Sequence, residues 1–105
     1  MSNKILEDIK KMLPVNDEWF DGTILVFINR AISILRQIGS ITIVLPVNAD
    51  TIWSDIVLTE DHLSEIQTYI YIRVKLVFDP PQNQYLVDAL AKEANEIEAR
   101  LLNEQ

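Results

Sequence analysis

The sequence predicts an all-α fold: a small four-helix bundle-like domain with a short β-hairpin or extended loop between helices two and three. Three observations predict it. Apolar residues recur at i, i+3, i+4 and i+7 through four segments. Pro14, Gly39 and Pro80-Pro81 punctuate those segments near their ends, where proline breaks the helical hydrogen-bond ladder and glycine accepts a left-handed cap. The single β-branched run, Ile41-Thr42-Ile43-Val44, is too short to make a stable sheet alone.

Helix one is predicted over residues 3–13. Ile5, Leu6, Ile9, Met12 and Leu13 share one face, Lys4, Asp8 and Lys11 the other, with Ser2 or Asn3 as the cap and Pro14 as the stop. The turn "VNDEWFDG" leads to helix two, residues 21–38, whose apolar stripe runs through Ile24, Phe27, Ile28, Ala31, Ile34, Leu35 and Ile38. Residues 40–58 read as the hairpin or extended loop, and Pro46 to Asp50 as turn-like.

Helix three is predicted over 60–78, capped by Thr59 with Glu60 and Asp61 in its first turn, where carboxylates meet the positive end of the helix dipole. Leu63, Ile66, Ile70, Val74 and Val77 form a stripe, and Tyr69, Tyr71, Ile72, Leu76 and Phe78 widen it nearly all round. Such a helix is normally buried. Its apolar perimeter exceeds what a lone four-helix copy of this size is expected to cover, so neighbouring copies are expected to cover the rest. Asp79-Pro80-Pro81 forms a rigid corner, because each proline disfavours helical geometry in the residue before it. Pro81 or Asn83 opens helix four, residues 83–102, with Leu86, Leu90, Ala94, Ile97 and Leu101 as a narrow seam. Asp88–Lys92, Lys92–Glu96 and Glu96–Arg100 have the spacing of i,i+4 ion pairs.

The 105 residues are the size of one domain, read here as residues 1–105. A net charge of −7 argues against a generic nucleic-acid binder and against docking on an anionic membrane. With no cysteine, disulfides and thiolate chemistry are excluded. No secretory signal and no membrane-spanning run is visible. His62 is the lone histidine, which makes a histidine metal site implausible and favours a surface or capping role. The helical carboxylates mostly have a Lys or Arg three or four residues away, as on a solvated face, and no serine sits in a nucleophile-elbow context. No catalytic, cofactor-binding or metal-ligating residue is therefore assigned, and no enzyme is expected. Trp19, Phe20 and Trp53 lie near turns, where they either plug the ends of the core or anchor an interface.

The stretch "YIYIRVKLVFDPPQNQYLVDALAKEANEIEARL" resembles the C-terminal half of the head–tail connector (adaptor, or head-completion) proteins of long-tailed double-stranded DNA bacteriophages and prophages. A Y-[IV]-Y-L-[KR]-V-K-L-L-F-D-P-P block precedes a charged amphipathic helix in that family, and here the block is Tyr69 to Pro81. "ILEDIKKMLPV", "FDGTILVFINRAISILRQIG" and Trp53-Ser54-Asp55 are similar too, so the likeness covers nearly the whole chain; residues 40–50 are its least typical part.

The resemblance implies a structural virion protein at the head–tail interface, made in the host bacterial cytoplasm. It implies a ring of about twelve copies beneath the portal protein. That ring extends the DNA channel and offers a platform to the stopper or tail-completion protein. Double-stranded DNA would only pass through, and the abundant carboxylates suit a wall to which DNA must not stick. No cofactor and no membrane partner is implied.

Candidate interface residues are Ile41, Ile43, Leu45 and Trp53 in the excursion, Tyr71 on helix three, and Arg100, Leu101 and Leu102 near the C-terminus. For the excursion, a flap over the chain's own core is the equal alternative; for the C-terminal residues, an intramolecular seam. Asp79, Pro80 and Pro81 are the structural corner. From another class, a small acidic helical regulator binding one host or phage protein remains the competing reading.

Overall fold

The computed structural model of the chain describes residues 4–13, 15–38, 46–56 and 63–103. It is all-α, as the periodicity predicts. The helices are α1 (Ile5–Met12), α2 (Asp21–Gln37), α3 (Leu63–Phe78) and α4 (Gln84–Asn103). Of the predicted excursion, the described residues 46–56 form an extended loop. Its only regular features are an antiparallel bridge between Lys4 and Ile52 and a 3-10 turn at Trp53–Asp55. Ile41, Ile43 and Leu45 lie outside the described residues, as do the caps expected at Ser2, Asn3, Gly39 and Thr59.

The centre of the molecule is α3. It packs on α1, α2 and α4, whereas α2 and α4 scarcely meet. Direction follows from side-chain pairs. Phe20, just before α2, meets Phe78 at the end of α3, with ring centroids 5.4 Å apart and edge to face. Glu65 and Arg73 of α3 pair with Arg100 and Glu98 of α4. So α2 and α4 both run antiparallel to α3, on its opposite flanks. The result is a slab of 35 × 33 × 22 Å, its short dimension about two helix layers deep.

This arrangement corrects the expectation for α3. Ile66, Tyr69, Ile70, Ile72 and Val74 are buried, Leu63, Tyr71, Leu76 and Phe78 are half-buried, and only Val77 among its apolar residues is exposed. Three helices, rather than the two neighbours of a square bundle, wrap the perimeter, so a single copy covers it. Truncating Ile70, which is fully buried, is expected to cost about 2–5 kcal/mol. Along α4 the seam is covered only in its C-terminal half: Ala94, Ile97 and Leu101 are buried, Leu90 is half-buried and Leu86 is exposed.

The loop 46–56 is fixed by polar groups that apolar patterning does not reveal. On α2 the Asn29 side-chain amide donates to the Val47 carbonyl (3.0 Å) and accepts from the Val47 N–H (2.7 Å), standing in for a paired strand. Its NH2 also donates to the Leu25 carbonyl (2.9 Å). The Thr51 hydroxyl accepts from the Asn48 N–H (2.9 Å), and the Ile5 N–H reaches the Thr51 carbonyl (3.0 Å). Trp53 is buried and its indole N–H donates to Asp8 of α1 at 2.6 Å. Burying Trp53 is possible because that carboxylate satisfies its one donor.

At the proline corner, the Asp79 N–H closes the last turn of α3 on the Lys75 carbonyl (3.1 Å), and Lys75 Nζ bonds Asp79 Oδ2 (3.0 Å). α4 starts at Gln84, capped by Asn83, whose side-chain oxygen accepts the Tyr85 N–H at 2.8 Å. Of the two openers the sequence allowed, it is Asn83 that serves. Pro81 belongs to the corner and stands before the first turn, because its constrained backbone is used to turn the chain rather than to start the helix.

Candidate assembly surface

Nearly all large apolar side chains left exposed gather at one end of the slab. They are Met12, Trp19, Phe20, Val26, Val77, Tyr85 and Leu86; Leu102, at the far end of α4, is the exception among the described residues. That end holds the C-termini of α1 and α3 and the N-termini of α2 and α4. Two contacts hold it together: the Phe20–Phe78 edge contact, and the Lys10–Asp21 ion pair at 2.8 Å between α1 and α2. Lys10 is buried along its stem, and the bond from Asp21 raises its pKa above the usual lysine value against the opposing effect of burial. Trp19 is 85% exposed and Tyr85 77%. The Trp19 N–H is tied to Asp17 Oδ1 at 3.1 Å, which anchors the backbone and leaves the indole outward.

The sequence-derived candidates lie elsewhere. Trp53 is 6% exposed and belongs to the core. Leu101 is buried against α3, whereas Leu102 is exposed. Arg100 turns back to Glu65 of α3 at 2.9 Å, and Tyr71 is half-buried. Asp79 and Pro80 are exposed at the corner and Pro81 half-buried. The corner thus adjoins the apolar end, while Leu102 and Arg100 sit at the opposite end of α4. Sequence reasoning missed Val26, Val77, Tyr85 and Leu86. The last three were assigned to apolar patterns, or flank them, and only packing reveals which members of a stripe stay uncovered. Trp19 carried a signal, a tryptophan in a polar turn.

The charges form an intramolecular frame rather than a reactive centre. The Tyr69 hydroxyl donates to Glu98 Oε2 (3.1 Å) and accepts from Arg73 Nε (3.0 Å), while Arg73 also pairs with Glu98 at 2.5 Å. Burial raises the Tyr69 pKa to about 12, against the lowering effect of Arg73. For Arg73, burial opposes the charge, but bonds to Tyr69 and Glu98 outweigh it and raise its pKa. The i,i+4 spacing on α4 is largely unused: Arg100 prefers Glu65, and Asp88 accepts from Gln84 at 2.8 Å. Among the described residues no group of acid or histidine side chains converges as metal ligands, and His62 lies outside them. No described helix is long and apolar enough to cross a membrane.

The described residues thus form a helical slab with an internal polar frame and exposed apolar side chains at one end. The family model of the phage connector protein matches residues 5–105, and the chain belongs to that family. It is a structural family of the phage neck rather than an enzymatic one, and its members are virion components that meet other head and tail proteins. No curated protein and no solved structure matches the chain.

Proposed function

We propose that this chain is the adaptor of a phage neck. It assembles as a ring of about twelve copies under the portal protein, extends the DNA channel, and receives the stopper or tail-completion protein on its far side. Double-stranded DNA passes through without sequence-specific binding, and the net charge of −7 keeps the wall from holding it. The chain is made in the host bacterial cytoplasm and ends at the head–tail interface of the virion. The observation that carries the reading, beside the family, is the apolar end: Trp19, Phe20, Val77, Tyr85 and Leu86 remain exposed although α3 is already covered. Large apolar side chains left uncovered after the core has closed support a protein–protein contact.

The test is negative-stain microscopy and mass photometry of the purified chain mixed with its cognate portal. Collars on the portal are the expected result. Because a platform commonly triggers closure, the portal is included from the outset. A chain that stays a monomer or dimer and ignores the portal would overturn this reading in favour of a small acidic regulator.

A further inference from the structure

We propose that the outer face of α4 in one copy docks, in parallel, on the outer face of α2 in the next copy, making the head-to-tail contact of the assembly. The proposal rests on the neck reading above and names the two surfaces it requires. Four observations carry it.

The first is position. α3 separates α2 from α4, so their outer faces lie on opposite flanks of one molecule. Two different surfaces on opposite flanks suit a heterologous contact, the kind that closes into a ring when the rotation allows.

The second is charge. Arg30 and Arg36 are exposed on the outer face of α2, and neither has an ion-pair partner among the described residues. No carboxylate is exposed on that face. The outer side of α4 carries Asp88, Glu93 and Glu96 against Lys92 and Arg100, and Arg100 is already engaged by Glu65 of α3. In a chain of net charge −7, a basic face lying opposite an acidic one is what lets like-charged copies approach.

The third is register. α2 and α4 both start at the apolar end and run the same way. Arg30 and Glu93 each stand nine residues beyond the first residue of their helix, so both lie about 14 Å along the axis. A parallel docking that aligns the two helix starts sets the two charges side by side. Near the start of the same faces, Val26 (56% exposed) would meet Tyr85 (77% exposed).

The fourth is shape. The small side chain of Ala89 leaves a shallow gap between Tyr85 and Lys92 on the outer side of α4, which a side chain of an opposing helix can fill.

Two variants test this, each on the full chain: Arg30→Glu/Arg36→Glu and Glu93→Arg/Glu96→Arg. Each alone should fold, by circular dichroism, yet give at least tenfold fewer collars on the cognate portal than the parent chain. Mixed in equal amounts they should restore collars, since alternating copies bring matched charges together at every contact. Collars from either variant alone, or no recovery on mixing, overturns the proposal. If the variants still bind portal while the parent forms normal collars, the neck reading survives and only this interface falls. A crosslinking readout stands beside it. The chain has no cysteine, so Val26→Cys and Tyr85→Cys are the only thiols in their variants. With cognate portal present and under mild oxidant, the mixture of the two should give a disulfide-linked pair at least fivefold more than either variant alone. Equal yields on the portal would overturn the parallel docking.

Discussion

Asn29 shows how a single polar side chain decides the path of a loop. Its amide supplies both a donor and an acceptor to Val47, a buried residue whose backbone groups would otherwise lack partners. Asn29→Ala should lower stability by about 1–3 kcal/mol, the cost of leaving buried polar groups unpaired. Urea unfolding reads this directly, and a change below about 0.3 kcal/mol would refute it. Tyr69 gives a pH prediction. The folded phenol keeps its proton to about 12, while the unfolded one loses it near 10.0. This contribution is intact below pH 10 and is lost as pH rises toward about 12. The sign is the same for Lys10, whose folded pKa is raised above 10.5. Stability should therefore fall between pH 10 and 12. Tyr69→Phe should flatten that fall by at most about 3 kcal/mol and, at neutral pH, cost about 1 kcal/mol for the lost hydroxyl bonds. Thermal melts at pH 8 and pH 11.5, compared between the two proteins, settle it. Neither Asn29 nor the Tyr69–Arg73–Glu98 frame was legible in the sequence, because each joins residues far apart in the chain through polar atoms that leave no periodic trace.

At the scale of elements, much was legible. The four periodic segments became four helices, since a 3.6-residue apolar repeat pays off only when one face is buried. The Asp79-Pro80-Pro81 corner was legible too, because its constraint is local backbone sterics. What periodicity hides is which neighbour covers a stripe. Leu86 continues the α4 seam in sequence, yet lies beyond the covered part; α3 looks too apolar for one copy, yet three helices wrap it. Trp19 and Trp53 looked alike as turn tryptophans, and only the carboxylate of Asp8 separates the buried one from the exposed one. Replacing Pro80 and Pro81 by alanine should leave helix content within about 10% by circular dichroism while impairing collar formation. Loss of helicity with normal assembly would contradict it. Gly22, in the first turn of α2, has open space where a Cβ would stand. Gly22→Ala should stabilise the chain by about 0.5–1 kcal/mol in urea unfolding.

For the whole molecule, the decisive contrast is between a core closed within one copy and an apolar end left open. Trp19→Ser/Tyr85→Ser should leave urea stability within about 0.5 kcal/mol of the parent, because neither side chain is packed, and should reduce portal-directed collars severalfold. Unchanged collars would remove the apolar end from the interface. At the other end of α4, Leu102→Ser is the cleaner probe of portal contact than removal of residues 101–105, since Leu101 is a core residue and its loss would unsettle α3 as well.

The docking of α1 has a consequence for how the protein is born. Ile5 bonds to Thr51, Lys4 bridges Ile52, and Asp8 holds the indole of Trp53. Beyond α2, α1 therefore lacks the rest of its docking site until some 45 later residues have followed it, and α3 arrives later still. At about 5–20 residues per second that wait lasts several seconds. A nascent chain stalled before residue 56 should leave its opening helix accessible to protease, whereas the finished chain should shield it.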